Sequence, residues 1–250
     1  MSGAPGSASR RAPAIARRGR RRRVSVLGVI GEVLVTAGIL VLLFVVWSVW
    51  FNSWVLNGQQ TSAAASLGRD WLEGSAAAPA RPSVIPAEAQ PAAAQPIAVM
   101  YVPRWGGNWE RVIGESVDIP AVLDSPHFGV GHYSGTAMPG AVGNFAVAGH
   151  DTGWGNAFLG LKQLHVGDRI YLQTKQGFYT YVFRDYVYVQ PTAVDVLLPV
   201  PQVPGAIGDD RIMTMTTCNP MYHGVERLVA FAVFDSFSTT APAAIAGQVG

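Results

Sequence analysis

The 250 residues contain one cysteine, Cys218, so no disulfide can form within the chain. No closely spaced His or Cys cluster has the ligand pattern of a zinc site. No glycine-rich loop ends in Gly-Lys-Ser/Thr, and no Gly-x-Gly-x-x-Gly follows a strand-like run. The Gly-x-Ser-x-Gly elbow of serine hydrolases is missing too. These absences remove structural zinc, nucleotide, dinucleotide and serine-hydrolase chemistry from consideration. Helical periodicity is scarce, apart from a candidate turn at Ala157–Leu164, and no internal repeat occurs. Charge is sparse at 14%, and the net +2 hides an asymmetry. Eight arginines and no acid fall in the first 23 residues, whereas residues 51–250 hold ten Lys/Arg against fifteen Asp/Glu. The positive charge therefore belongs to a tail and does not signal a nucleic-acid partner.

The basic tail, residues 1–23, leads into an apolar run over 24–51, VSVLGVIGEVLVTAGILVLLFVVWSVWF. About 20 apolar residues cross a bilayer core as a helix, and this run is longer than the apolar part of a signal peptide. No small-residue cleavage site follows it closely. Trp47, Trp50 and Trp54 cluster at its far end, where amphipathic rings favour the interface. Arginines on one flank only predict a single-pass segment with a cytoplasmic N-terminus and an extracellular body. Glu32, in the first third of the run, can lean towards the cytoplasmic face.

Residues 52–96 read as a linker. From Ser75 to Pro96 the chain is rich in Ala and Pro, a composition that buries little apolar surface and stays extended. A short helix around Ala63–Leu72 is the one element expected there. From Ile97 the pattern changes to short β-rich runs bounded by Gly, Pro, Asn and Asp. Strands are expected near Ala98–Val102, Asn144–Ala148, Arg169–Thr174, Tyr179–Val189, Ile212–Thr217 and Leu228–Ser236. The body over 97–237 is thus mainly β, a barrel or a sandwich, followed by an Ala- and Gly-rich tail at 238–250.

Cys218 ends a β-run, and Asn219-Pro220 opens a loop after it. A nucleophile at a strand end is held by the sheet while its sulfur faces outward. Nine residues on, Arg227 begins the next run. Adjacent antiparallel strands would bring the two together, and an arginine lowers a thiol pKa and stabilises an oxyanion. The plainer role for Arg227 is a pair with Glu226 or another acid at a strand edge. Of the five histidines, His150 and His223 have a positional argument. His150 ends Asn144-Phe-Ala-Val-Ala-Gly-His150, as Cys218 ends its own run, and His223 lies in the loop after Cys218. His132 is placed in a Gly-rich loop. Asp118, Asp124 and Asp209-Asp210 read as scattered, solvated acids, with a calcium site as the alternative.

Together these residues resemble the sortase family. Thr214, Thr217 and Cys218 match the family's TLxTC pattern, with Met215 at the leucine position, a swap that conserves volume. Asn144–His150 has the form of the family's upstream histidine strand, and Glu226-Arg227-Leu228-Val229 that of its arginine strand. The short spacing to Arg227, the stretch Gly131–Gly140, and Gly31-Glu32 in the apolar run are similar to class E members of high-GC Gram-positive bacteria. The resemblance implies an eight-stranded β-barrel of the sortase type with short helices, preceded by one transmembrane helix. It implies a cysteine transpeptidase with Cys218 as nucleophile, His150 as acid/base and Arg227 as oxyanion stabiliser, needing no metal or organic cofactor.

The implied substrates are surface proteins bearing an LPxTG- or LAxTG-like sorting signal, cut between Thr and Gly. The acceptor would be a peptidoglycan precursor or pilin amine. Class E resemblance favours Ala in the second signal position, with Tyr133 and Thr217 as substrate contacts. One residue departs from the class: Asp151 stands where arginine usually follows the histidine, and an acid there would raise the His150 pKa. The alternative reading is a catalytically inactive, membrane-tethered binding module of the same fold. Papain-like and related wall peptidases place Cys before His in the chain, whereas His150 here precedes Cys218; the His-Gly-Cys segment of L,D-transpeptidases is absent.

Overall fold

A computed structural model describes residues 25–74 and 84–249. The basic tail, and the part of the Ala/Pro segment at 75–83, lie outside the described residues. The chain divides into two compact units at Phe44/Val45. In the first, α1 (Val26–Val46) is an apolar helix of 21 residues with no buried side chain, long and apolar enough to cross a bilayer.

The second unit is built on a closed barrel of eight strands: β1 (Pro96–Tyr101), β2 (Glu110–Glu115), β3 (Gly129–His132), β4 (Gly143–Gly149), β5 (Arg169–Gln173), β6 (Phe178–Val189), β7 (Arg211–Asn219) and β8 (Glu226–Ser238). The order around the barrel is β1-β2-β3-β4-β7-β8-β6-β5, and β5 closes on β1. The β2–β3 and β4–β7 pairs are parallel, the others antiparallel. Closure leaves no free sheet edge. The six expected strands are all present. The two unforeseen ones, β2 (ERVIGE) and β3 (GVGH), are fully buried although they carry Glu110, Arg111, Glu115 and His132.

The interior holds Met100, Ile113, Val130, Phe145, Val147, Ile170, Leu172, Phe183, Met213 and Met215. On β4 and β7 these are the odd-numbered positions. By the two-residue period of a strand, Asn144, Ala146 and Ala148, with Thr214, Thr216 and Cys218, belong to the outer face. Asn144 confirms the parity by accepting a hydrogen bond from Thr214 Oγ1 at 2.7 Å. Its amide donates to the carbonyls of Val196 and Leu198, so the β6–β7 connection folds over this outer face. A cleft of about 260 Å³ lies there, between the β3–β4 turn and Leu197 and Pro199.

The expected linker is corrected in its first half. A π-helical turn, Trp47–Phe51, leads into α2 (Asn52–Gly74), 23 residues long and docked on the barrel. Its buried positions are Ser53, Leu56, Gln60, Ala64, Gly68 and Trp71, spaced three or four apart as one helix face requires. Ala64 and Trp71 join Val99, Tyr101, Val112, Tyr171 and Phe178 in a second apolar cluster outside the barrel. Ile245 and Val249 of the C-terminal segment complete that cluster. At Gly68 the approach is so close that an added Cβ would lie 2.8 Å from the Tyr101 hydroxyl. Gln173 Nε2 donates to the Gly68 carbonyl at 2.8 Å, and Gln173 Oε1 accepts from Tyr101 at 2.7 Å. No alternation of apolar residues marks this face, because half of it is Ser, Gln and Gly.

Candidate active site

Strand register brings Cys218, Arg227 and His150 to one end of the barrel. Cys218 pairs directly with Arg227 across β7 and β8, and directly opposed residues of an antiparallel pair share a face. Cys218 is half-buried. Its Sγ lies 3.5 Å, and Arg227 Nη1 3.8 Å, from the point that a Cβ on Gly224 would occupy. Thiol and guanidinium thus converge over Gly224, whose φ of +58° lies in the left-handed region that glycine adopts without strain. Arg227 Nη1 donates to the carbonyls of Gly224 and Glu226, at 2.8 and 3.0 Å. Glu226 instead receives the Asn219 amide through its own carboxylate, so the simple Arg227–Glu226 ion pair does not form.

On the other flank, β4 runs parallel to β7 with Ala148 beside Thr216. Thr217 Oγ1 donates to the Gly149 carbonyl at 2.7 Å, locking the end of β4 to the residue before Cys218. His150 is the next residue of β4's course, on the parity of the Cys218 face. A Cβ on Gly149 would meet the Phe158 ring at 2.9 Å, so the chain passes that ring with no room for a side chain. Phe158 N–H donates to the His150 carbonyl at 2.7 Å.

The acid that contacts His150 is not its neighbour. Asp124, expected in solvent, places Oδ1 2.9 Å from His150 Nε2. It ends a π-helical turn at Ile119–Leu123 whose start is capped by Asp118, accepting from the Ala121 N–H at 2.9 Å. Asp151 is 8% exposed; its Oδ1 takes the Thr152 hydroxyl, and its Oδ2 is buried with no hydrogen-bond partner.

α2 reaches the same loops. Gln60, fully buried, donates through Nε2 to the carbonyls of Ser125 and Trp154, at 2.9 and 3.3 Å. Those residues follow Asp124 and His150. Arg111, buried on β2, donates to Thr61 and Asn57 of α2 and to the carbonyl of Gly155. Desolvation lowers the Arg111 pKa to about 10.

Of the expected substrate contacts, Tyr133 shares a hydrogen bond of 2.9 Å with Thr216, on the Cys218 face of β7. Thr217 is 4% exposed and on the opposite parity, its hydroxyl committed to Gly149; it braces the strand ends. His132 is not in a loop but at the end of β3, fully buried against Glu115 at 2.7 Å. Glu115 also accepts from Ser134 and Gln90. This network holds the turn that carries Tyr133. His223 lies in the β7–β8 loop, its N–H donated to the Pro220 carbonyl. Among the described residues no group of three or more His, Cys, Asp or Glu could hold a metal ion.

Residues 100–235 match the model of the sortase domain. The chain belongs to the sortase family. Sortase SrtE1 of Streptomyces coelicolor is 33% identical over 81% of this chain and 55% of its own length, so the chain spans about half of that relative. The structure of sortase E from Streptomyces avermitilis aligns with a TM-score of 0.54 and 36% identity, covering 62% of this chain and 99% of that one. SrtA sortase from Actinomyces oris aligns at 0.62 and 30% identity, over 69% and 99%. The sequence relatives make this a class E sortase. Asp124 and Gln60 are the residues that sequence reasoning missed here. Neither belongs to a local motif, and their partners are 26 and 65 or more residues away.

Proposed function

We propose that the chain is a membrane-anchored cysteine transpeptidase. It cleaves an LPxTG- or LAxTG-like sorting signal between Thr and Gly and transfers the new acyl end to a cell-wall or pilin amine. α1 anchors it with the N-terminus in the cytoplasm and the barrel outside. The observation that carries this reading is the direct pairing of Cys218 with Arg227 across β7 and β8, next to the strand end that delivers His150.

The Cys218 thiolate attacks the threonine carbonyl carbon, and the guanidinium of Arg227 stabilises the oxyanion that develops. His150, its ring held by Asp124, gives a proton to the departing glycine nitrogen as the C–N bond breaks. A thioester remains, and one difficult acyl transfer is divided into two easier ones. The acceptor amine then attacks the thioester carbonyl and passes a proton to His150. The C–S bond breaks and the thiolate returns. The signal lies along the outer face of β4 and β7, past Tyr133 and Thr216, under the β6–β7 connection.

The test is turnover of fluorogenic LAxTG and LPxTG peptides by the full chain in detergent, with and without an acceptor amine, beside Cys218→Ala. Cleavage that vanishes in the variant supports the reading, and the better peptide gives the signal preference. A folded chain with an alkylatable thiol and no cleavage of either peptide overturns it.

A further inference from the structure

A cleft of about 460 Å³ opens beside the site, between the start of α2, Trp105 and Trp109, the loop after His150 and the β7–β8 loop. Its rim includes Thr152, two residues past His150, and Met221 and Tyr222, three and four past Cys218. Neither Tyr133 nor Thr216 lines it, and it shares no residue with the outer-face cleft at Leu197 and Pro199.

The chemistry of its walls is distinctive. Trp54, Trp105, Trp109 and Tyr222 supply aromatic surface; Asn57, Asn156 and Gln163 supply carboxamides; no Asp, Glu, Lys, Arg or His lines it. Trp105 and Trp109 are fixed edge to face with centroids 4.5 Å apart, and Trp105 packs on Gly160 so tightly that an added Cβ would lie 2.5 Å from the ring. Trp54 and Tyr222 are open instead, 70% and 69% exposed. Nε1 of Trp105 is buried without a hydrogen-bond partner.

Rigid indoles with uncharged amides suit a neutral, many-hydroxyl ligand with apolar C–H faces, which is a saccharide. An ionised peptide would find no counter-charge there. The signal peptide has its groove elsewhere, so the second substrate is the one left to place. Its amine must reach the thioester on Cys218 with His150 in position to take the proton, and the cleft ends at the loops that follow those two residues.

We propose that this cleft binds the sugar portion of a glycan-linked amine acceptor and presents its amine to the thioester. The proposal deepens the transpeptidase reading and rests on it for the role of the bound amine, but sugar binding is measurable without turnover. The covalent step is unchanged: the amine nitrogen bonds to the acyl carbon, the C–S bond breaks, and His150 receives the proton.

The first measurement is tryptophan fluorescence of the full chain in detergent, titrated with a soluble N-acetylated muramyl disaccharide-tripeptide carrying a free side-chain amine. The same tripeptide without sugars is the comparison. Saturable quenching by the disaccharide form alone, weakened about tenfold in Trp54→Ala and in Tyr222→Ala as expected for loss of an aromatic contact, supports the proposal. Equal response to both probes, or variants that bind as the parent does, overturns it. If Trp54→Ala changes only retention in bilayer vesicles, the ring is an interfacial anchor and the proposal also fails.

The second measurement is acceptor kinetics on a signal peptide. The expected result is a KM for the disaccharide amine that rises in both variants, with the KM for triglycine and the rate of donor cleavage unchanged. A KM that rises for both amines alike overturns the sugar site. A parent chain that binds the disaccharide and cleaves no signal peptide refutes the transpeptidase reading and leaves the sugar site standing.

Discussion

His150 Nε2 and Asp124 Oδ1 lie 2.9 Å apart, a contact between a strand end and a short helical turn 26 residues earlier in the chain. It fixes the ring of the residue assigned to proton transfer, and it is made without the adjacent acid, Asp151. A carboxylate in that place orients an imidazole.

Asp124→Asn is therefore expected to lower kcat on a signal peptide by about ten- to a hundredfold. The donor KM and the rate of thiol alkylation should stay near the parent values. Steady-state kinetics with an iodoacetamide time course checks this. A kcat within twofold of the parent would show that the contact does not serve catalysis.

Arg227 faces the thiol as a fixed cation with two backbone carbonyls holding one of its nitrogens. Arg227→Lys keeps the charge and loses the planar fork. The expected loss in kcat is about a hundredfold or more, with thermal unfolding little changed. Cys218→Ala should leave no turnover and a normal unfolding midpoint.

Gln60 is a buried amide joining α2 to the loops after Asp124 and His150. Gln60→Ala leaves two carbonyls without their donor, at a cost of about 2 kcal/mol. Denaturant unfolding should show that loss. Peptide turnover should fall further than the stability change alone requires, because both loops are released. Turnover equal to the parent, in a destabilised but folded variant, would confine Gln60 to a structural role.

Glu110 on β2 is 6% exposed, with Oε2 lacking a hydrogen-bond partner. Desolvation raises its pKa from 4.5 to about 7, against the pull of Arg69 and Arg111. Between those two values the folded state binds more protons than the unfolded one, so this group makes stability fall as pH rises. Above about pH 7 the loss is complete. Glu110→Gln should gain stability over the parent at pH 8 and gain nothing at pH 4, measured by unfolding at both values. A gain that is the same at both would remove the titration as its cause.

The sequence and the structure part company for identifiable reasons. β6, β7 and β8 announce themselves through β-branched and aromatic runs between turn residues, and they are where they were expected. β2 and β3 did not, because Glu110, Arg111, Glu115 and His132 look like solvent-facing residues until their partners are known. Helix α2 is marked at its buried face by Ser53, Gln60, Ala64 and Gly68, residues that give no hydrophobic period. Asp124 read as a solvated acid, since nothing within its own stretch points at a histidine.

By itself the sequence determined the apolar helix and most of the strands, and it singled out His150, Cys218 and Arg227, which strand register brings to one end of the barrel. Those follow from local composition and from residues that end or begin strands, which a one-dimensional pattern carries. Only the tertiary structure decided that α2 is part of the barrel unit, that Asp124 rather than Asp151 holds His150, and that an uncharged aromatic cleft reaches the β7–β8 loop. Each of these is a contact between segments far apart in the chain, set by strand register and by close approach at positions such as Gly68 and Gly149, and no local pattern encodes it.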